Sequence, residues 1–379
     1  MKYFPWYPNM VPFSYVRIIS LHKRKLKKGG EIMKDNPKVM APALQVFASE
    51  VFEGAGLPPV DAALEAEVLV WANLRGIDSH GVLRIPAYLE WIASGDMNPH
   101  PEPRLLHETP AILHMDADGA LGPVATVPAM RRVIDKARVV GIGWGVLSNI
   151  THQGAMGYYA QLAAEAGMAG IAITCSRPNM APFGARAAGV HNSPIAIAVP
   201  AQNHPPVILD MATSVAAGGK LSVAIDKRVS IPKDWALDEK GNPTTDPKKA
   251  RTLQPFGGPK GSGLAFMFEC LTSIMANNPL VVPTLQDEKL IHNQNSIVAA
   301  IDISIFSELD SFEKNVTSLI TELKDLPMAE GHDEIFSPGE PEDKTFNYRI
   351  ENGIPLPPGT VKKLRDTSKM FDIELPSGL

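Results

Sequence analysis

The chain has 379 residues, of which 45% are hydrophobic and 20% are charged, which is typical of a globular protein with room for two domains. A formal net charge of −5 and the lack of an apolar run long enough to cross a bilayer argue against nucleic-acid and membrane partners. Because the two cysteines form no CxxC pair, a disulfide framework and a thiolate zinc site are disfavoured, and the cytoplasm is the expected location.

The first 32 residues differ in character from the rest of the chain. Residues 1–20 are aromatic and apolar without helical order, and residues 22–28 are nearly all basic. A secretory signal has the reverse order, with positive charge before the apolar stretch. Two interpretations stay open: an organelle-targeting or interaction tail, and a translated ribosome-binding sequence ahead of a true start at Met33. We favour the second and treat 1–32 as an atypical N-terminal extension.

The next part of the chain is predicted to form a small helical unit. Apolar residues at helical spacing predict helices over 39–52, 62–74 and 82–92. Asp61 is a plausible N-cap for the second of these helices. The proline-rich stretch 98–103 is typical of a linker that leaves the unit.

From residue 111 onward, short apolar runs occur among helical stretches, which indicates an α/β layer architecture. Strands are predicted over 111–115, 142–147, 170–174, 194–200, 206–211 and 296–303. Helices are predicted over 126–139, 154–166, 263–276 and 308–325. The helix over 263–276 is apolar nearly all round, so we expect it to be buried. Residues 231–249 predict a polar surface excursion, and the tail from Phe336 is rich in proline and charge.

A histidine and an arginine four residues apart form the first candidate site. If a helix begins near Ser79, the side chains of His80 and Arg84 share one face. A guanidinium grips a carboxylate with two hydrogen bonds, and an imidazole beside it can exchange a proton with a hydroxyl or carbonyl oxygen. The structural alternative is that Ser79 caps the helix and that both side chains are only solvated or salt-bridged.

Three further segments place polar groups beside glycine or at strand ends, where loops commonly carry function. His152 precedes a helix and is either an acid/base or cofactor-bonding residue or a capping or packed histidine. Asp210 ends an apolar strand and either faces a ligand crevice or caps a helix. Lys260 lies in the glycine-rich segment 257–263 and either contacts a phosphate or belongs to a flexible loop.

A dinucleotide-binding fingerprint of the Rossmann type is missing from the sequence. The nearest match, 141–145, has its third glycine misplaced, and it follows a predicted helix and precedes a predicted strand. That order is the reverse of the Rossmann order. A nicotinamide cofactor would therefore be bound by a different fold.

Taken together, these segments resemble the type-2 malate/L-lactate dehydrogenase family, which also includes ureidoglycolate dehydrogenase, sulfolactate dehydrogenase, 2,3-diketogulonate reductase and the cyclic imino acid reductases. The likeness extends from about Met33 to the tail. It is carried by five motifs in family order, at 75–84, 152–158, 180–184, 210–213 and 258–261.

The resemblance implies an α/β (α+β) fold of non-Rossmann type, in which helices wrap a mostly antiparallel sheet and a smaller helical domain is attached. We expect residues 33–107 with 259–282 to form the helical domain, and residues 108–258 with 283–379 to form the NAD(P)-binding sheet domain. The resemblance also implies an intertwined homodimer.

The resemblance further implies roles for individual residues. His80, or in relatives like ureidoglycolate dehydrogenase His152, would be the proton donor or acceptor. Ser79 and Arg84 would bind the substrate, with Arg84 on its carboxylate. The positions that correspond to contacts with NAD or NADP in the family are Ser176, Leu209, Asp210, Met211, Ala212, Thr213, Pro259, Lys260, Gly339 and Glu340.

Two segments depart from the family pattern. Residues 191–194 read His-Asn-Ser-Pro where many relatives have Gly-Thr-Asn-Pro, and the resemblance implies that this segment lies near the cofactor. Ser176 is followed by Arg177 in place of a frequent Thr-Asn pair, and an arginine there is weak support for the 2′-phosphate of NADP.

We therefore expect an oxidoreductase that transfers a hydride between NAD or NADP and C2 of a small 2-hydroxy or 2-oxo acid of the malate, lactate, ureidoglycolate or sulfolactate type, with no metal. One alternative is NAD(P)H-dependent reduction of a cyclic imino acid. Another is a metal-dependent hydrolase or lyase with His80, His152 and Asp210 as ligands, although HxH and HExxH spacings are missing. A non-catalytic binding protein is the third alternative.

Overall fold

A seven-stranded sheet, two two-stranded sheets and eleven α-helices form the regular secondary structure of the part of the chain that the computed structural model describes, residues 36–288 and 293–379. The interpretations of residues 1–32 lie outside these residues. The helices are α1 Ala41–Gly54, α2 Pro59–Leu74, α3 Ile85–Ser94, α4 Gly122–Val140, α5 Gly157–Glu165, α6 Gly218–Lys227, α7 Pro259–Glu269, α8 Val281–Leu285, α9 Leu309–Lys324, α10 Glu340–Asn352 and α11 Pro358–Phe371. The strands are β1 Lys38–Val39, β2 Arg104–Glu108, β3 Ile112–Asp116, β4 Ile142–Ile150, β5 Met168–Cys175, β6 Ile195–Val199, β7 Val207–Met211, β8 Ala236–Leu237, β9 Thr252–Leu253, β10 Gln294–Asp302 and β11 Ile354–Pro355.

The large sheet is mostly antiparallel, as expected from the family resemblance. Its order is β2-β3-β4-β10-β5-β6-β7, and within it only β3 and β4 pair in parallel. The central strand β10 is buried from Gln294 to Ala300 because helices cover both faces. On one face Val298 belongs to the core formed with α4 and α5, and on the other Ile297 packs with Phe268 of α7. The non-Rossmann prediction is confirmed.

The helical unit at the start of the described chain forms a second hydrophobic core. Its helices begin close to where they were predicted, but α2 begins at Pro59 and places Asp61 inside its first turn. The predicted capping role of Asp61 is therefore wrong, and a proline in the first turn is favourable because its missing N–H has no helical partner there. The third predicted helix begins late, at Ile85, after two short 3₁₀ turns over 78–80 and 82–84.

The tail, for which no elements were predicted, contains α10 and α11. Its residues Ile354, Leu356, Val361 and Leu364 are buried in the same core as α1 and α2. In addition, β11 pairs with β1, and an ideal Cβ on Gly378 would lie 2.3 Å from the carbonyl oxygen of Lys38. The last residues of the chain thus return to its first described strand. The division into two domains stays a prediction.

The prediction of a buried helix over 263–276 is wrong for the single chain. Helix α7 spans Pro259–Glu269 and continues as a π-helical turn to Ile274. Only one side of this segment packs on the sheet, and its other side leaves five large apolar residues exposed, namely Leu264, Phe266, Met267, Ile274 and Met275. An exposed apolar surface of this kind marks a contact region. Among the described helices, none is long and apolar enough to cross a membrane.

Candidate active site

The turn that carries Ser79 and His80 is held in place by an arginine from the tail. The Arg349 guanidinium in α10 donates to the two carboxylate oxygens of Asp78, at N···O distances of 2.6 and 3.0 Å. Asn73, at the end of α2, donates to the same carboxylate at 2.6 Å. Two-point contact between a guanidinium and a carboxylate fixes geometry as well as charge. The candidate catalytic turn is therefore rigid.

The two candidate histidines lie side by side. The rings of His80 and His152 stack with their centroids 5.5 Å apart and their planes 24° apart. The Ser79 hydroxyl lies 2.8 Å from Nδ1 of His80. Nδ1 of His152 lies 2.6 Å from the Tyr88 hydroxyl and accepts a hydrogen bond from the Gly154 N–H at 3.1 Å. Residues that are distant in sequence thus meet in one small site.

Arg84 completes this group, although not through the predicted helix face. The two 3₁₀ turns bend the chain so that Nε of Arg84 donates to the carbonyl oxygen of Ser79 at 2.7 Å. Burial, with the positive charge of Arg84 as a second cause, lowers the pKa of His80 from 6.5 to about 4. Both effects disfavour the imidazolium, so His80 is a neutral imidazole near neutral pH.

Helix α6, which was not predicted, borders the same site. Its first turn contains Gly218 and Gly219. An ideal Cβ on Gly219 would lie 2.4 Å from Cβ of Ser79, whereas one on Gly218 would meet nothing within 4 Å. The absence of a side chain at Gly219 allows α6 to approach the candidate substrate-binding residues closely.

A second group of predicted residues meets where β7 ends and α7 begins. The Phe256 N–H donates to the carbonyl oxygen of Thr213 at 3.0 Å, and an ideal Cβ on Gly261 would lie 2.3 Å from that oxygen. Because the two segments are this close, Pro259 and Lys260 lie next to the strand end. The hydroxyl of Thr213 is buried without a hydrogen-bond partner among the described residues.

Asp210 and Gly339 belong to the same region. Oδ2 of Asp210 accepts a hydrogen bond from the Gly157 N–H, the first residue of α5, at 2.7 Å. Burial outweighs this bond and raises the pKa of Asp210 to about 6. An ideal Cβ on Gly339 would lie 2.8 Å from the carbonyl oxygen of Ile208. The tail therefore crosses β7 at a glycine.

The remaining predicted residues of β7 lie on an edge strand. Leu209 and Met211 pair with Ile197 and Ile195 of β6, and Ala212 follows the end of the strand. No further strand pairs with the other edge of β7 within the described sheet. This edge is where Gly339 approaches.

Ser176 follows the end of β5 and is linked to the same surroundings by a neighbouring segment. Its hydroxyl donates to the carbonyl oxygen of Asn293 at 3.2 Å. Sγ of the preceding residue, Cys175, lies 2.9 Å from the Ser193 hydroxyl. Asn192, which precedes Ser193, accepts a hydrogen bond on its carbonyl oxygen from the Thr213 N–H at 3.1 Å. The side-chain Oδ1 of Asn293 is buried and lacks a partner in the described part of the chain.

Glu340 is placed differently from the other predicted cofactor residues. Its carboxylate is 2.5 Å from the ammonium group of Lys324 and 3.3 Å from that of Lys344, and it accepts the Ser337 N–H at 3.1 Å. Burial opposes ionisation, but these partners lower the pKa of Glu340 to about 2. The carboxylate thus stabilises the start of α10 and is already paired within the chain.

Sequence reasoning assigned no role to two residues of the candidate site. Tyr88 follows Arg84 by four residues, as Arg84 follows His80, so helical spacing could have indicated it. Arg75 is buried, forms an ion pair with Asp343 and donates to the carbonyl oxygen of Gly339 at 3.2 Å. No local pattern indicates that contact, because its partners are in the tail.

The rival metal-dependent interpretation requires a cluster of ligands. Across residues 36–288 and 293–379, no group of three or more His, Cys, Asp and Glu side chains could hold a metal ion. His80, His152 and Asp210 therefore do not form such a group.

Comparison with known proteins agrees with the sequence resemblance. Residues 39–365 match the family model described as malate/L-lactate dehydrogenase. The chain is 39% identical to L-sulfolactate dehydrogenase of Methanocaldococcus jannaschii over 84% of this chain and 92% of that protein. It is 36% identical to ureidoglycolate dehydrogenase (NAD(+)) of Escherichia coli O157:H7, over 80% and 87%. The solved structure of malate dehydrogenase from Pyrococcus horikoshii matches with a TM-score of 0.84 and 33% identity, over 93% of this chain and all of the other.

Proposed function

The chain belongs to the malate/L-lactate dehydrogenase family of oxidoreductases, and we propose that it transfers a hydride between NAD or NADP and C2 of a small 2-hydroxy or 2-oxo acid. The observation that carries this proposal is the juxtaposition of Arg84 with two stacked imidazoles, His80 and His152. Oxidation of a 2-hydroxy acid requires two groups from the protein: a cation that binds the substrate carboxylate and a neutral base that accepts the hydroxyl proton.

Arg84 is the residue proposed to bind the substrate carboxylate. Its Nε is occupied by the carbonyl oxygen of Ser79, so the two terminal nitrogens are the donors for a carboxylate in a forked geometry. Fixing the carboxylate orients the adjacent C2, and orientation of this kind contributes much of the rate enhancement of an enzyme.

His80 is suited to accept the hydroxyl proton during oxidation. Its lowered pKa keeps the imidazole neutral, and a substrate carboxylate on Arg84 would offset the positive charge that opposes its protonation. When bound, the nicotinamide supplies the hydride acceptor for oxidation and the hydride donor for reduction. Replacing His80 by alanine is expected to lower kcat by about two to four orders of magnitude.

The residues after β7 and before β10 fit a dinucleotide. Thr213, which follows β7, and Asn293, which precedes β10 and accepts a hydrogen bond from Ser176, each hold a buried polar atom that lacks a partner among the described residues, and such atoms are uncommon unless a ligand or water completes them. Lys260 lies in the first turn of α7, where a positive charge and helical N–H groups favour a phosphate. We propose these residues, with Gly339, as the cofactor site.

Self-association is also part of the proposal. The exposed side of α7 and its π-helical turn gathers five large apolar residues, and apolar surface gathered in this way commonly marks a contact region. A homodimer that covers it agrees with the expectation from the family. The cytoplasmic location and the two-domain division remain predictions.

An absorbance assay of the nicotinamide tests the proposed function. Purified protein is mixed with malate, lactate, ureidoglycolate or sulfolactate and with NAD or NADP, and cyclic imines are tested with the reduced cofactors. We expect turnover with at least one 2-hydroxy acid and its loss in His80→Ala. Turnover of cyclic imines alone would replace the proposed substrate class, and inability to bind either nucleotide would contradict the proposal.

A further inference from the structure

The hydrogen bonds at Nδ1 of His152 define the position of its proton. The Gly154 N–H points at this nitrogen at an N···N distance of 3.1 Å. A backbone amide can only donate, so Nδ1 must present its lone pair. Gly154 adopts a positive φ of 70°, a conformation that glycine reaches at low cost, and the local turn thereby aims its N–H back at the ring. Neutral His152 therefore carries its single proton on Nε2.

Tyr88 adds a second donor to the same nitrogen. Its hydroxyl oxygen lies 2.6 Å from Nδ1 of His152, and since that nitrogen accepts, the phenol must donate. Burial, with the charge of Glu65 as a second cause, raises the pKa of Tyr88 far above its usual value. The phenol thus keeps its proton throughout the physiological range.

The ring of Tyr88 is itself fixed by packing. It is fully buried, it stacks on Trp91 with centroids 5.7 Å apart, and it lies 6.5 Å from the ring of Phe52. Its position on α3, one turn after Arg84, connects it rigidly to the candidate substrate-binding turn. A donor with so little freedom selects one orientation of its acceptor, as partners of functional histidines do elsewhere.

The hydrogen bond of the His80 ring with Ser79 does not fix which ring nitrogen carries the proton. Its Nδ1 contacts the hydroxyl of Ser79 at 2.8 Å, and a hydroxyl can donate or accept. With Nδ1–H donating to Ser79, Nε2 of His80 holds a lone pair and can take a proton. Nε2 of neutral His152 already holds a proton and cannot.

We propose that Tyr88 is a positioning residue that, together with the Gly154 N–H, holds His152 in the Nε2–H form, so that His152 donates a hydrogen bond to the oxygen on C2 while His80 exchanges the proton. The assignment of roles rests on the proposed function, but the protonation of the His152 ring does not. In oxidation the substrate O–H bond breaks and its proton forms the Nε2–H bond of His80, which becomes an imidazolium, while the C2–H electron pair leaves as a hydride that the nicotinamide would accept, and a 2-oxo acid remains. His152 donates a hydrogen bond throughout and keeps its proton.

The position of the proton can be measured without substrate or cofactor. In the full-length protein labelled with ¹⁵N in histidine, NMR distinguishes protonated from unprotonated ring nitrogens by their well-separated shifts. Signals are assigned by comparison with His152→Gln. The variant Tyr88→Phe removes one donor, and Tyr158→Phe is the matched control, because Tyr158 is equally buried but its hydroxyl donates to Glu67.

The expected spectrum of the wild type shows His152 with a proton on Nε2 and none on Nδ1. In Tyr88→Phe the Nδ1 signal should shift and the Nδ1–H form should become detectable, while Tyr158→Phe should match the wild type. A wild-type spectrum with the proton on Nδ1 overturns the proposal even if Tyr88→Phe does not fold. So does a His152 spectrum that is unchanged in a folded Tyr88→Phe protein.

Kinetics test the division of roles. A glutamine amide can donate a hydrogen bond but cannot accept a proton as a base. We expect His152→Gln to retain about tenfold more activity than His152→Ala, the effect of one hydrogen bond, whereas His80→Gln should be as inactive as His80→Ala. The reverse pattern overturns the assignment of roles. If the wild type oxidises no 2-hydroxy acid, the proposed function fails, and the NMR result still decides the protonation of His152.

Discussion

Gly219 touches Ser79 so closely that a Cβ on the glycine would be only 2.4 Å from Cβ of the serine. Non-bonded carbon atoms pack at about 3.5 to 4.0 Å, so any side chain at this position forces one of the two segments to move. Helix α6 therefore borders the candidate active site, and it can lie this close to Ser79 only because residue 219 has no Cβ.

Replacing Gly219 by alanine is expected to lower kcat/KM by about tenfold to a hundredfold, because a displacement of about 1 Å at a catalytic site has effects of this size. Gly218→Ala is the matched control, since its Cβ would meet nothing within 4 Å. Both variants gain the helix-forming preference of alanine. Equal activity of the two variants would show that α6 does not restrain Ser79.

The pH dependence of oxidation is expected to reflect the lowered pKa of His80. Its pKa is about 4 in place of 6.5, and oxidation requires the neutral imidazole. With cofactor saturating, kcat/KM for the acid substrate should therefore stay high through the range around pH 6.5 and fall only as the pH approaches about 4. A kcat/KM that falls with decreasing pH with a midpoint near 6.5, the ordinary histidine pKa, would show that the pKa of His80 is not lowered.

Glu65 is expected to make the folded chain less stable as the pH rises. Its carboxyl is 1% exposed, one oxygen has no partner among the described residues, and burial raises its pKa from 4.5 to about 8. Between these two values the unfolded chain releases the proton and the folded chain retains it. The free energy of unfolding should therefore decrease by about 1.4 kcal/mol per pH unit from this group, until the folded-state pKa is reached.

Glu65→Gln removes this titration while keeping the size of the side chain. Urea unfolding of the variant and the wild type at several pH values should show a stability difference that grows in favour of glutamine as the pH rises, to an order of a few kcal/mol. Glu50→Gln on the exposed side of α1 is the control. A difference that does not vary with pH would show that Glu65 does not titrate in this window.

The exposed side of α7 is expected to mediate self-association. Phe266 is 62% exposed in the single chain, and Phe306, which follows β10, is 78% exposed. A charge buried in an apolar interface is strongly unfavourable. Phe266→Glu should therefore shift the protein towards the monomer in light scattering, and Phe306→Glu should not. A dimer that is unchanged in Phe266→Glu would locate the interface elsewhere.

Six of the seven strands of the large sheet, all but β2, and seven of the eleven described helices could be predicted, because their apolar residues recur with the period of the structure they form. Helices α10 and α11 were missed because prolines such as Pro341 and Pro358 suggested an irregular tail. In the structure both prolines lie in first turns, where proline is compatible with a helix. The exposed side of α7 could not be predicted either, since an apolar sequence does not reveal which of its sides faces a partner.

The candidate site was predictable where the motif is local and unpredictable where contacts join distant segments. The spacing of His80 and Arg84 indicated that their side chains lie near each other, although two 3₁₀ turns bring them together and not one helix face. By contrast, the contact of Tyr88 with His152 spans 64 residues, and that of Arg349 with Asp78 spans 271. Such pairs follow from the order of strands and the return of the tail, which periodicity does not encode.

The close approach of Gly378 to Lys38 places the two ends of the described chain next to each other. When the two ends of a fold are adjacent, they can be joined and the chain can be opened at another surface site without loss of the fold. A short linker from Leu379 to Lys38, with new ends opened in the exposed turn at Glu239 and Lys240, would give a circular permutant with every strand pairing of the large sheet intact. In that permutant α10 and α11 would precede α1, and the tail would become the centre of the chain.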